Sequence, residues 1–169
     1  MERAGALMAK ANGTLFIYTI TNTMKTEDYN VSITVDATAH EAFESINSIS
    51  KWWTEDVEGS SQKPGDEFTV RFGDIHVSTQ KIIEVIPDKK VVWLVTDSKL
   101  NFIKDKDEWT KTTIEFDISN IDNKTQIHFT HFGLVPEVEC YNSCKKGWNY
   151  YIESLYKLLT EGKGTPGLS

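Results

Sequence analysis

The sequence predicts one α+β domain of two layers, in which a long C-terminal helix packs on an antiparallel sheet. Three observations support this fold class. Apolar and polar residues alternate in several segments between residues 29 and 132, short turn sequences separate most of these segments, and apolar residues recur every three or four positions from residue 141 to 159. The first pattern is typical of half-buried strands and the last of an amphipathic helix. Consecutive strands joined by short turns pair antiparallel, and a helix with one apolar face can cover such a sheet.

A strand and two short helices are predicted first. Residues 29–36 alternate cleanly, with their apolar side chains on one face. Thr38 and Glu41 then match a capping box, in which a threonine oxygen and a glutamate three positions later satisfy free N–H groups at a helix start. The apolar residues of this helix and of the helical turn after it are Ala39, Ala42, Phe43 and Ile46, followed by Ile49, Trp52 and Trp53.

Five further strands are predicted, at residues 67–72, 75–86, 91–96, 111–119 and 125–132. Gly73-Asp74 suits a tight hairpin between the first two, and Asp122-Asn123 suits a turn before the last. The segment 97–111 is polar and charged, and we predict a long loop there.

The C-terminal segment is predicted to form one amphipathic helix, roughly from Cys144 to Glu161. Gly162 is its expected C-cap, because glycine adopts the left-handed conformation that ends many helices. Gly147 costs about 1 kcal/mol relative to alanine inside a helix. We therefore expect it to mark either a break in the helix or a close approach of another backbone.

The composition limits the class of partner. The chain has 169 residues, of which 18 are Lys or Arg and 25 are Asp or Glu, giving a net charge of −7. This length suits one domain, and the negative charge argues against nucleic acid or an anionic membrane as the main partner. No apolar run approaches the roughly 18 residues of a membrane span.

The two cysteines, Cys140 and Cys144, lie four positions apart, which places both on one face of a helix. This suits packing as small buried side chains better than a disulfide. No other residues complete the spacing of a metal site, so we predict no metal and no cofactor. Nothing requires an oxidising compartment, and we expect a cytoplasmic protein.

The first residues differ from the rest. Residues 1–28 are predicted to be a poorly ordered N-terminal extension, followed by a single domain at residues 29–166. Met24 precedes a polar, charged segment and suits a natural start, so residues 1–23 are interpreted as an upstream arm. The competing interpretation is that the apolar residues 15–20 add an edge strand to the sheet.

A series of short segments resembles a known superfamily. They include Trp52-Trp53, the sequences GDEF at 65–68 and THFGL at 130–134, and GKGTP at 162–166. In this order they resemble the helix-grip (SRPBCC) superfamily of START-type and birch-pollen-allergen-like domains, and most of all its branch named after the activator of heat-shock-protein ATPase. The resemblance covers roughly residues 29–166. It implies a curved antiparallel sheet of about six strands wrapped around the C-terminal helix, with two short helices after the first strand and a cavity between sheet and helix.

Among the histidines, His131 shares a strand face with Ile127 and Phe129, and we expect it to point inward. Three roles remain open for it: a hydrogen-bonded core histidine, a polar anchor for a ligand, or a general acid or base. No nucleophile motif or phosphate-binding loop occurs, and we name no catalytic residue.

The aromatic content is high, with five tryptophans. Large rings between a sheet and a helix either form a plain core or line a cavity. Trp109, in a charged segment, is interpreted as a lid over a pocket or a wedge into the core. The residues predicted to line the cavity are Trp53, Phe68, Phe72, Trp93, Trp109, His131, Trp148, Tyr151 and Leu155.

These observations favour a module that binds a small apolar or amphipathic ligand, with another protein as a second kind of partner. The alternatives are a cyclase-type or hydrolytic enzyme using the same cavity, and a protein-interaction or chaperone-modulating module. Because only one inward polar group is found, binding is favoured over catalysis. We expect a monomer or a weak homodimer.

Overall fold

The computed structural model describes residues 6–11, 14–19 and 26–168, with side chains from residue 26 onwards. It confirms the α+β class. The elements are β1 (Ala6–Ala11), β2 (Thr14–Thr19), β3 (Tyr29–Val35), α1 (Ala39–Asn47), α2 (Ile49–Trp52), β4 (Val57–Gly59), β5 (Glu67–Phe72), β6 (His76–Ile86), β7 (Lys90–Leu100), β8 (Thr113–Ile121), β9 (Lys124–Phe132) and α3 (Tyr141–Glu161).

The main sheet has seven strands in the order β3-β9-β8-β7-β6-β5-β4. All its named pairs are antiparallel, and β5 to β9 form the predicted meander. The number of strands exceeds the predicted six because the short β4 pairs with the edge of β5. The ladder between β6 and β7 shifts register after Thr79 and after Ile82, and such bulges bend a sheet. One face of the sheet packs on the long helix α3 in a single hydrophobic core.

Local signals at the helix ends are confirmed. Thr38 and Glu41 form the complete capping box at the start of α1. Gly162 ends α3 in the left-handed conformation, with φ of 76°. The expectation for Gly147 was wrong on both counts: α3 runs unbroken through it, and a Cβ placed on it would meet no atom within 4 Å. The space beside Gly147 is therefore open.

The loop predicted at residues 97–111 begins later than expected, because β7 continues to Leu100. Ser98 and Leu100 are buried while Lys99 between them is exposed, so the alternation of a strand continues. The sequence analysis missed this end of the strand because the inward-facing residue at position 98 is a polar serine. Residues after Leu100 form the turns that lead to β8.

Strand β2 pairs with β1 in a separate two-stranded sheet, so the main sheet does not gain the edge strand considered for residues 15–20. Residue 20 of that segment lies outside the described residues. The assignment of residues 1–28 as an extension outside the domain stays a prediction. None of the described helices is both long enough and apolar enough to cross a membrane.

Candidate functional site

All five tryptophans belong to one group of contacting rings between the sheet and α3. Trp53, at the end of α2, is at its centre: its ring centroid lies 5.0 Å from Trp148 and 5.8 Å from Trp93. Trp109 also stacks on Trp148, with 5.7 Å between ring centroids and an interplanar angle of 6°. These rings fill most of the space between the sheet and α3, and an open cavity lies beside them at one end of the helix.

His131 lies in this core and has no free polar atom. Its side chain is fully buried, and its Nδ1 accepts a hydrogen bond from the indole N–H of Trp148 at 3.0 Å. The remaining ring proton must then be on Nε2, which lies 2.8 Å from the Thr112 hydroxyl. Burial lowers the pKa of His131 to about 3, and nearby His76 adds to the effect. His131 is therefore a neutral core histidine.

A cavity of about 400 Å³ opens where the β5–β6 turn, the turns after β7 and the first half of α3 meet. Its walls are mostly aromatic and its mouth carries Ile75 and Phe102, which are 62% and 41% exposed. The complete lining is Trp53, Phe72, Ile75, His76, Phe102, Trp109, Ser143, Cys144, Gly147, Trp148 and Tyr151.

Helix α3 contributes two adjacent rows of side chains. Trp148 and Ile152, in the first row, are buried in the core. Ser143, Gly147 and Tyr151 lie four positions apart and share the neighbouring row, which faces the cavity. Because Gly147 has no side chain, the middle of this row leaves space. Part of the cavity exists because of that glycine.

The structure brings five of the nine predicted cavity residues to the wall: Trp53, Phe72, Trp109, Trp148 and Tyr151. It does not place Phe68, Trp93, His131 or Leu155 there; these four are buried core residues outside the cavity lining. Trp109 is only 4% exposed, so it is a wedge into the core that also forms a wall of the cavity.

His76 is the polar residue of the wall that the sequence did not single out. It begins β6 opposite Phe72, and its ring contacts the edge of Trp109 at 4.6 Å between centroids. Burial lowers its pKa to about 4, so the imidazole is neutral at physiological pH. The sequence could have identified His76 from its place in the strand. By simple alternation it shares one face with Ser78, Gln80 and Ile82, and the apolar Ile82 marks that face as the inner one.

The prediction of two unpaired cysteines was wrong, because the structure pairs Cys140 with Cys144 as a disulfide. Both are buried, as expected, but they do not share a helix face, because Cys140 precedes the first residue of α3. Their Cα atoms are 5.6 Å apart, within the usual range for a disulfide. Within the described residues, no group of three or more His, Cys, Asp or Glu side chains has the arrangement of a metal site.

Comparison with known proteins gives a family match over most of the chain. The sequence model of the family described as Activator of Hsp90 ATPase homolog 1-like protein matches residues 19–160. This match confirms the resemblance found in the sequence. No curated protein matches the chain significantly.

Several solved structures share the fold. The Aha1 dimer from Colwellia psychrerythraea, solved in solution, is 25% identical with a TM-score of 0.67 and covers 82% of this chain and 99% of that chain. SSP2350 from Staphylococcus saprophyticus is 16% identical with a TM-score of 0.63, covering 84% and 98%. CalU16 from Micromonospora echinospora is 11% identical with a TM-score of 0.58, covering 93% and 84%. The last two support the fold alone.

Proposed function

This chain belongs to the family described as Activator of Hsp90 ATPase homolog 1-like protein, and on that premise we propose that it binds a small apolar or amphipathic molecule between the sheet and α3. The observation that carries the proposal is the aromatic cavity of about 400 Å³. Small-molecule sites are typically concave, mostly apolar spaces of roughly 300–1,000 Å³. Rings such as Trp109 and Trp148 supply apolar contact area for a ligand.

The wall favours a neutral ligand. The lining contains no Asp, Glu, Lys or Arg. Its histidine, His76, has a pKa of about 4 and is therefore neutral at physiological pH. A carboxylate or ammonium group entering this space would lose its hydration without gaining a partner of opposite charge. The exposed side chains of Ile75 and Phe102 give an apolar molecule an apolar entrance.

The alternative functions have less support. Acid–base catalysis needs at least two groups positioned around the substrate, and within the described cavity wall His76 is the only histidine or carboxylic acid. The exposed apolar residues at the mouth would suit a protein contact, but they serve ligand entry equally well, and the other exposed apolar side chains, such as Ile83 and Ile121, do not line the cavity. We therefore place small-molecule binding first, with a cyclase-type or hydrolytic activity and a chaperone-modulating role behind it.

A larger side chain at position 147 should fill the cavity and weaken binding strongly without unfolding the protein. Gly147→Leu places a branched side chain in the open space, and we expect the affinity for a probe hydrocarbon, 2-methylnaphthalene, to fall about ten-fold or more. Both leucine and alanine are better helix formers than glycine by about 1 kcal/mol, so the variant should be no less stable than the wild type. Equilibrium dialysis gives the affinities.

Gly147→Ala is the matched control. It gains the same helix propensity but adds only one methyl group, so it should bind the probe nearly as well as the wild type. Equal binding by wild type, Gly147→Ala and Gly147→Leu would show that the probe sits elsewhere. Failure of the wild type to bind any apolar probe would contradict the proposed function.

A further inference from the structure

A line of polar side chains leads from the inside of the sheet to the cavity. His76, Ser78 and Gln80 lie on the inner face of β6, and Ser78 and Gln80 are fully buried. His76 ends the line at the cavity wall, between the rings of Phe72 and Trp109. Buried polar groups in such a line must satisfy each other, which restricts where each proton sits.

The orientation of the Gln80 amide determines which atom donates and which accepts in each hydrogen bond of this line. Its side chain is near the carbonyl oxygens of Ser78 and Phe68, each 3.3 Å from the amide nitrogen when that nitrogen faces them. The amide oxygen then accepts the proton of the Ser78 hydroxyl at 2.6 Å. The opposite orientation would face the amide oxygen toward acceptors only. Ser78 is therefore a donor to Gln80.

The proton of His76 follows from this arrangement. The Oγ atom of Ser78 lies 2.9 Å from Nε2 of His76. Since the single hydroxyl proton of Ser78 is donated to Gln80, Oγ can only accept from Nε2, which must carry the ring proton. Nδ1 of the neutral imidazole is then an acceptor with an available lone pair. Among the described residues this Nδ1 atom has no hydrogen-bond partner. The fully buried side-chain polar atoms that lack a partner are Oδ1 of Asn47 and Nε1 of Trp93, and Nδ1 of His76 is not among them.

We propose that Nδ1 of His76 selects the ligand of the cavity, so that the ligand is a neutral, mostly apolar molecule carrying a hydroxyl or N–H donor. The inference rests on the proposed function and adds the chemistry of the ligand to it. An acceptor at the end of an apolar space is satisfied by a donor and left unpaired by a hydrocarbon, which is how polar groups discriminate between similar ligands. The pKa of about 4 keeps this acceptor unprotonated at neutral pH.

Three probes of similar shape test whether the cavity prefers a ligand that donates a hydrogen bond. Of these, 2-naphthol donates a hydrogen bond, 2-methoxynaphthalene only accepts one, and 2-methylnaphthalene does neither. The preference for naphthol is the Kd of 2-methylnaphthalene divided by the Kd of 2-naphthol. It is measured in the wild type and in His76→Phe. Loss of one hydrogen bond should lower this preference for naphthol about five-fold. The methoxy probe should respond to the substitution as methylnaphthalene does. His128→Phe, on the opposite face of the sheet, is the control and should keep the wild-type ratio.

An unchanged ratio in His76→Phe, with all probes still binding, would overturn the selection by His76 and leave the proposed function standing. Binding of no probe by the wild type would overturn both. If His76→Phe does not fold, imidazole ¹⁵N spectra of the wild type decide: a protonated Nε2, with an Nδ1 signal that shifts on adding 2-naphthol but not 2-methylnaphthalene, is expected. A protonated Nδ1 would contradict the inference.

Discussion

Trp148→Ala should remove most of the stability of the domain. The indole is 2% exposed and contacts Trp53, Trp109 and Phe129. Truncating a buried tryptophan costs about 3–5 kcal/mol. The substitution also takes away the donor to Nδ1 of His131, and an unpaired buried acceptor costs roughly a further 1–3 kcal/mol. A loss of about 5 kcal/mol approaches the whole stability of many domains.

Urea unfolding of the wild type and the variant measures this loss. Tyr150→Ala on the same helix is the matched control, because Tyr150 is 55% exposed and its removal should cost only about 0.5 kcal/mol. Trp148→Phe keeps part of the ring and should be intermediate. A loss below about 1 kcal/mol for Trp148→Ala would mean that the indole is not packed between the sheet and α3.

Acid should destabilise the protein well before its carboxylates titrate. His131 and His76 have folded-state pKa values of about 3 and about 4, both lowered chiefly by burial, against about 6.5 in an unfolded chain. Between these values the unfolded chain binds more protons, so the stability is complete above pH 6.5 and is lost as the pH falls. At pH 4.5 the two histidines together should lower the free energy of unfolding by about 5 kcal/mol.

Urea unfolding at pH 7, 5.5 and 4.5 tests this dependence. His76→Phe should remove about half of the loss, because one of the two linked protons is gone. His40→Gln is the control: His40 is on the surface, and its pKa is raised by Asp88, so it cannot cause a loss on acidification. A free energy of unfolding that stays constant down to pH 4.5 would contradict the buried, neutral state of both histidines.

The fold followed from patterns that repeat along the sequence. The meander, the capping box at Thr38 and the C-cap at Gly162 all have local signals, and each is present in the structure. The prediction missed β4, which has only three residues, and the end of β7, where Ser98 replaces an apolar residue at an inward position. Short or polar strands lack the alternation on which the prediction depends.

The cavity was harder to predict from the sequence than the fold, because a cavity depends on the space that the packed side chains leave unfilled. Alternation placed Trp93 and Phe68 on the inner face, but the sequence does not show that neighbouring rings fill the space around them. Gly147 was interpreted as a weak point of the helix, whereas it borders the cavity. His131 was favoured over His76 as an anchor, and only its bonds to Trp148 and Thr112 show that its ring is already satisfied.

The most direct test of the central claim, that the cavity binds an apolar ligand, is the position of a bound probe in solution. Intermolecular NOE measurements between 2-methylnaphthalene and the isotope-labelled protein provide it. The predicted result is a set of contacts from the probe to Trp109, Trp148 and Tyr151, all of which disappear in Gly147→Leu. Contacts confined to surface residues such as Leu168, or contacts that persist unchanged in Gly147→Leu, would contradict the claim.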